Sequence, residues 1–336
     1  MIRIVLLALL LVASPVYAKT FKLATISPDG LAWMKMLRQG TKEITAKTDG
    51  RVKFKIYPGG VQGDDTTVLR KMRIGELQGG VVASSSLTRF YLDLQIYNLP
   101  FTFRNFHEVD FVRKHMDDRI IKGLDKGGIV AFHLTETGFA YLMSTKPVTT
   151  LEELRGMKVW VPTGDQVSAQ LIQDFGISPI PLSLGDVLAG LQTGLIDAVI
   201  VPPIVALALQ WHNQVKYMLD VPILYADSAA MLDKRAFDKL SPADQAEVET
   251  VMNRIFAKVD KDNRKDNEAA YKALINQGIK LTKPRPSQLA EWRARGQHAI
   301  GRLVKTGQLS QQSLDLLNKY LAEARQTEKN TTLAGD

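Results

Sequence analysis

The stretch Gly138–Asp165, GFAYLMSTKPVTTLEELRGMKVWVPTGD, leaves few folds open to this chain. Gly138–Ser144 is rich in strand formers and is followed by a turn. Thr150, with Glu153 three residues on, makes a capping box, so a short helix starts there, and Gly156 ends it. Met157–Val161 reads as a second strand closed by Pro162. Thr163–Asp165 then supplies small polar residues before a helix that opens near Gln166. Strand, short helix, strand, loop and helix in so short a span is the pattern of an α/β sheet, whose ligands gather beyond the carboxyl ends of its strands. Side-chain alternation aims Lys158, Trp160 and Pro162 from one face of the second strand, and Val159 and Val161 from the other.

The flanking segments belong to the same class. Phe21–Ile26 and Gly79–Ala83 read as strands, and in Arg51–Tyr57 the residues Val52, Phe54 and Ile56 alternate with Lys53 and Lys55. Helices are expected over Leu31–Lys47, Asp65–Ile74, Asn105–Asp118, Gln166–Phe175 and Leu184–Thr193, several of them stopped by glycine. Ile129–Leu134 and Leu195–Val201 read as further strands. From Pro242 to Gln277 the chain is almost unbroken helix former, with Ser241 as N-cap and Gly278 as stop. At 1.5 Å per residue this helix is roughly 50 Å long, enough to run along two lobes as a spine. Helices near Ser287–Thr306 and Ser310–Gln326 follow, and the polar end of the chain reads as a disordered tail.

With 336 residues the chain is long enough for two lobes with cores of their own. It has no cysteine, so there is no disulfide framework and no thiolate site. Met1–Ala18 reads as a secretory signal peptide: Arg3 is the positive n-region, Ile4–Ala13 the apolar core and Val16-Tyr17-Ala18 the cleavage site. The formal net charge is +8, but the basic residues are dispersed among acids, and export also argues against nucleic acid as a partner. No HExxH, GxSxG or SxxK motif occurs, and the five histidines have no metal-ligand spacing. The glycine-rich loop Pro58–Gly63 is not a Walker sequence. His133 and Glu136 invite an acid–base reading, but local polar structure at a strand end explains them more simply. No enzyme, cofactor or metal is therefore expected.

Three motifs in order, RVKFKIYPGGVQGDD at Arg51–Asp65, KPVTTLEELRGMKVWVP within the stretch above, and PLSLGDVLAGLQTGLIDAVIVPP at Pro181–Pro203, resemble the extracytoplasmic solute receptors of TRAP transporters, the DctP-type binding proteins. The resemblance covers nearly the whole chain beyond the signal peptide. It implies an α/β, type II-like, two-lobed periplasmic binding protein with hinge strands and a long helix spanning both lobes. Lobe one is then expected from 19–137 and 224–262, lobe two from 138–223 and 263–326 with the C-terminal helices, and the disordered tail from 327–336. The receptor is expected to capture a small organic acid between its lobes and to deliver it to membrane permease subunits, acting as a periplasmic monomer. A secreted enzyme and a ligand-sensing partner of a membrane receptor are the alternatives.

The chain departs from the family where the family grips a carboxylate. The usual arginine in the strand after the short helix is Trp160, a second is absent at Phe139 beside Gly138, and the usual asparagine falls at Val201. A site of Trp160, Phe139 and Tyr141, with Trp211 nearby, would be apolar and aromatic, fit to stack on a ring, hold an aliphatic tail or cage a cation. Ser85 in the serine triplet is a candidate wall. For an anion the counter-charge falls to Lys158 or Arg89, helped by backbone N–H groups around Thr163–Gln166. For a cation it falls to Glu136, Asp165 or Asp29.

Overall fold

The computed structural model describes residues 18–334. The signal peptide expected at Met1–Ala18 therefore lies, apart from Ala18, outside the described residues. The chain opens with β1 (Lys19–Ala24), α1 (Ala32–Lys47), β2 (Val52–Tyr57), α2 (Asp65–Arg73) and β3 (Gly79–Ala83), close to the segments read from periodicity. β1 pairs in parallel with both β2 and β3, which α1 and α2 make possible as crossovers. After β3 the chain runs through two 3-10 turns, Ser84–Leu87 and Leu92–Asn98, and the segment 99–101 into α3 (Phe106–Lys126).

β4 (Ile129–Ser144) is a single strand of 16 residues, where the sequence suggested two separate ones. Its first part pairs antiparallel with β9 (Leu224–Asp233), which in turn pairs β3, and its last residues pair β7 (Ala198–Val201) and β8 (Tyr217–Leu219). β4 thus leaves one sheet and enters another, with β9 paired to it as far as Ala140, and the two are the hinge strands. Two register shifts bend this pair, between Phe132 and Leu134 and between Glu136 and Gly138. The second has a steric cause. Gly138 has φ +114, and a Cβ there would stand 2.6 Å from the Asn267 side-chain amide, so only glycine lets the hinge strand lie against the spine helix.

The second lobe holds α4 (Leu151–Arg155), β5 (Lys158–Pro162), α5 (Gln166–Asp174), β6 (Ser178–Leu182), α6 (Val187–Thr193) and, after β7, α7 (Pro203–Ala208). The capping box is present: Thr150 Oγ1 accepts from Glu153 N at 3.1 Å, and Glu153 accepts from Thr150 N at 3.0 Å. β5 is parallel to β6 and to β7, so its carboxyl end points into the interlobe space.

Past β9, α8 (Lys234–Phe237) leads into α9 (Pro242–Asn276), whose N-cap is Ser241, with Asp244 N donating to its hydroxyl at 3.1 Å. Over its 35 residues α9 packs with α1 and β4 of lobe one and then with α7 of lobe two, the spine expected from the sequence. β10 (Lys280–Thr282) adds to β8, and α10 (Pro286–Lys305) and α11 (Gln311–Ala334) finish the chain.

Two boundaries differ from the sequence reading. Helix α11 continues through the segment expected to be disordered from 327, as far as Ala334; Thr327 Oγ1 bonds the Ala324 carbonyl at 2.8 Å and Asn105 donates to Glu328 at 2.9 Å. α11 also packs on α3, with Leu317 and Leu321 in the core of the first lobe, although 263–326 was assigned to the second. An amphipathic stripe shows that a helix is buried on one face; it does not say against which lobe.

Buried charges tie the hinge to the spine. Glu136 is fully buried, and Arg264 of α9 meets it at 2.6 Å while forking onto Asp110 of α3 at 2.7 and 2.8 Å. Burial pushes the Glu136 carboxyl above its usual range against the pull of Arg264. Beside it, Asp260 accepts from Arg113 at 2.9 Å and pairs with His133 at 3.1 Å. Burial would raise Asp260, but His133 and Arg113 outweigh it and hold the carboxyl at about 2. The His133 and Glu136 pair singled out above is therefore absorbed in structural ion pairs.

Candidate functional site

Between the lobes lies an inner cavity of about 260 Å³ that opens into an outer chamber of about 430 Å³. Ala83, Ser85, Thr88, Trp160, Pro162, Asp165 and Val167 line both, so the two form one continuous space. The first lobe contributes the end of β3 and the turn after it. The second contributes the carboxyl end of β5 and the helix α5. This is the place an α/β sheet offers a ligand. The two lobes touch at the mouth, where Thr66 Oγ1 donates to Thr163 O at 3.4 Å and Gly164, at φ +85, passes close beneath Thr66.

The inner cavity is apolar for a local reason. On α5 the residues Val167, Ser168, Leu171 and Ile172 share one face, none is fully buried, and all four line the cavity. The opposite wall is Leu99, Pro100 and Phe101, with Phe101 held at φ +54, a conformation rare for a bulky side chain. Phe101 packs edge-on to Trp292 of α10 at 6.1 Å and against Phe175 at 6.1 Å. The cavity reaches inward to Leu142, Leu154, Phe175, Ile177 and Trp292, which are core residues of the second lobe.

A few polar groups break this surface. Asp227 is 4% exposed and accepts from Ser84 Oγ at 2.6 Å and Asn98 Nδ2 at 2.9 Å. Burial pushes its carboxyl up to about 6. Three buried atoms at the wall have no hydrogen-bond partner among the described residues: Trp292 Nε1, Gln95 Oε1 and Asn98 Oδ1. In the outer chamber Asp65 is raised to about 6, again by burial; its Oδ2 accepts from Ala83 N at 2.9 Å and Ser86 Oγ at 3.2 Å, and its Oδ1 has no partner. Arg89 is the one cation among the described residues that line either space; its guanidinium lies over Phe90 at 5.1 Å and makes no ion pair.

The sequence-derived candidates divide. Trp160 and Ser85 line both spaces, and Arg89 lines the outer chamber. Trp160 is 7% exposed, its Nε1 donates to Leu182 O at 3.1 Å, and so it offers the site a ring rather than a donor. Trp211 is fully buried behind it, edge to face at 5.3 Å, and supports Trp160 without reaching the cavity.

The other four do not join them. Phe139 packs on Phe106 and Tyr225, and with Tyr141 it faces a separate groove on the far side of the hinge, where Tyr141 approaches Tyr271 at 5.4 Å. The strand turns these rings away because the register shift at Gly138 changes which face of β4 looks into the cleft. Lys158 stands at the opposite end of β5 from Pro162, about 13 Å along the strand, and its ammonium is bonded to Gly194 O. Alternation correctly gave it the face of Trp160 but not the end. Glu136 belongs to the hinge ion pairs. Of the acids held in reserve for a cation, Asp29 is paired with Arg38 at 2.8 Å, and Asp165 caps α5 through Ser168 N at 2.9 Å.

Sequence reasoning missed Trp292, Asn98, Gln95 and Asp227. Gln95, Asn98 and Asp227 lie in segments that hold none of the three motifs, and Trp292, in the middle of an ordinary amphipathic helix, carried no signal. Among the described residues no cluster of His, Cys, Asp and Glu is arranged to hold a metal ion, and no helix is long and apolar enough to cross a membrane.

Comparison with known proteins points one way. The family model for bacterial extracellular solute-binding protein, family 7, matches residues 23–306. The C4-dicarboxylate-binding periplasmic protein DctP of Rhodobacter capsulatus is 24% identical over 247 residues, 70% of this chain and 72% of its own. An uncharacterized protein of Haemophilus influenzae is 24% identical over 207 residues, 61% of this chain and 63% of its own length. Among solved structures, that of DctP7, a Bordetella pertussis extracytoplasmic solute receptor binding pyroglutamic acid, superposes with a TM-score of 0.81 at 22% identity, covering 90% of this chain and 99% of that one.

Proposed function

This chain belongs to family 7 of the bacterial extracellular solute-binding proteins, and on that premise we propose that it is the periplasmic receptor of a TRAP-type transporter, taking up a small organic acid with an apolar or aromatic part. The observation that carries the reading is the continuous interlobe space with an apolar interior and, among the described residues, Arg89 as the one cation lining its outer chamber. The acid's carboxylate sits at Arg89, with the Ser85 and Thr88 hydroxyls on the same turn, and its apolar body passes Trp160 into the inner cavity. Arginine suits the head because its planar fork matches a carboxylate. Both relatives named above with a stated ligand bind acids, a C4-dicarboxylate and pyroglutamic acid.

Closure follows from the same geometry. A ligand that touches β3 and its turn on one side and β5 and α5 on the other has more contacts when the lobes are together, so it shifts the population to the closed form. β4, β9 and the bend at Gly138 are where the backbone absorbs the movement. The closed form then delivers the acid to membrane permease subunits. In this reading the protein is secreted through the signal peptide cleaved after Ala18, acts as a monomer and carries out no turnover; among the described residues neither histidine nor lysine lines the inner or outer space.

Thermal unfolding of the protein from Lys19 onward against a panel of acids, amines and neutral aromatics tests this. A ligand at 100 times its dissociation constant adds about 2.7 kcal/mol. Stabilisation by apolar monoacids, lost in Arg89→Gln, is the expected outcome. Stabilisation by amines alone would reverse the sign of the ligand.

A further inference from the structure

The unpaired polar atoms in the wall of the inner cavity say what the deep end of the ligand carries. Trp292 is 1% exposed, and its Nε1–H has no acceptor; Gln95 is 2% exposed, and its Oε1 has no donor. Asn98 is fixed in orientation, because its amide hydrogens go to Tyr225 O and Asp227 Oδ1, both at 2.9 Å, which leaves Oδ1 as an acceptor without a donor. Buried polar groups in folded proteins are nearly always paired, and each orphan costs free energy. Trp292, Gln95 and Asn98 all line the inner cavity, each orphan atom just beneath its surface, and a donor and two acceptors so placed are the complement of a ligand that supplies both.

The charge of that ligand end is constrained as well. Among the described residues no arginine, lysine or histidine lines the inner cavity, and the Asp227 carboxylate at its wall accepts only from Asn98 and Ser84. A carboxylate placed there would meet another carboxylate in a region of low dielectric with no counter-ion. The ligand's own charge therefore stays outside at Arg89, and the deep end is neutral.

Resting on the receptor reading above, we infer that the inner cavity selects acids whose apolar body ends in an uncharged oxygen function, a hydroxyl or a carbonyl, that accepts from Trp292 Nε1–H, a hydroxyl also donating to Asn98 or Gln95. A compact dicarboxylate fits neither the apolar walls nor the neutral end. Selection of this kind is strong because a ligand lacking the oxygen leaves the wall's polar groups unpaired.

The test is a calorimetric titration with five probes: 3-phenylpropanoate, its 4-hydroxy, 4-carboxy and 4-aminomethyl derivatives, and succinate. The 4-hydroxy acid is expected to bind about tenfold more tightly than the unsubstituted acid, and the 4-carboxy acid and succinate far more weakly than either. In Trp292→Phe the hydroxyl advantage is expected to fall below about threefold while 3-phenylpropanoate still binds. Should that variant fold poorly, the wild-type Trp292 indole N–H resonance, recognised by its contacts to Phe101, is expected to move downfield with the 4-hydroxy acid and not with the unsubstituted one. If the phenylpropanoates bind through Arg89 but the hydroxyl brings no gain, or if the 4-carboxy or 4-aminomethyl acid binds best, the inference is overturned and the receptor reading stands. If succinate alone binds, the inference is again overturned. If nothing in the panel binds, both fall. A hydroxyl gain that survives Arg89→Gln at unchanged affinity supports the deep end and removes Arg89 as the head-group site.

Discussion

The hinge and the inner cavity both bury polar groups among apolar ones, and they treat them in opposite ways. At the hinge each charge has its partner: Glu136 with Arg264, and Asp260 with Arg113 and His133. At the cavity Trp292, Gln95 and Asn98 each keep an atom unpaired, and the space between the lobes is hollow beside them. A satisfied network fixes one arrangement, whereas an unsatisfied wall is completed by something that arrives. The hinge is built to hold and the cavity to receive.

The largest effect should come from breaking the satisfied side. Arg264→Ala strands the Glu136 carboxylate in a fully buried position and is expected to cost about 3–5 kcal/mol near neutral pH. The loss should shrink from neutral pH toward pH 5, because burial already raises the Glu136 carboxyl and, with Arg264 gone, favours its protonated form further. Denaturant unfolding at the two pH values measures both; an equal loss at each would show that the guanidinium acts through packing rather than charge.

Asp227 gives the next effect. A carboxyl raised to about 6 in the folded protein, against an ordinary value near 4, binds its proton more tightly when folded. Its contribution to stability is full below the unfolded pKa and is lost as pH rises toward 6. Asp227→Asn should therefore flatten the fall in stability between pH 4 and 6 by up to about 3 kcal/mol. Asp65→Asn should do the same for the same reason. An unchanged slope in both variants would mean that neither carboxyl is raised.

A volume test separates the filled core from the hollow one directly. Leu94 is fully buried in the first lobe, and Leu94→Phe is expected to cost about 1–3 kcal/mol by overpacking. Leu142 is as deeply buried but borders the cavity, so Leu142→Phe can lean into empty space and should cost under about 1 kcal/mol. Equal costs would mean the cavity closes up in solution. The smallest effect is assigned to Lys158→Ala, which should alter stability within about 0.5 kcal/mol and leave ligand affinity unchanged.

Much of this architecture was legible from local signals. The capping box at Thr150, the Ser241 cap with its stop at Gly278 and the strand alternation at Val52, Phe54 and Ile56 are short-range patterns, and each appears where the sequence put it. Of the candidates, Trp160, Ser85 and Arg89 line the interlobe space; Trp160 lies within a motif, and Ser85 came from the serine triplet. Phe139 and Tyr141 enter the expected site from the resemblance at the hinge strand, and a bulge one residue away, which inverts a strand's faces, is not visible in such a motif. Trp292 was missed because it reaches the cavity through packing of α10 on the 99–101 segment, where Gly296 lets the helix approach the Pro100 carbonyl. Such a contact joins residues far apart in the chain and leaves no periodic trace.

The receptor reading and the hollow core meet in one measurement, the heat-capacity change on binding an apolar acid. Calorimetric titration of 3-phenylpropanoate at several temperatures, into the wild type and into Leu171→Trp, which fills the cavity from α5, reads it directly. Burial of the acid's body should give a clearly negative heat-capacity change in the wild type and at least a tenfold loss of affinity in the filled variant. Binding of the acid with no heat-capacity change, at equal affinity in both proteins, would contradict the account.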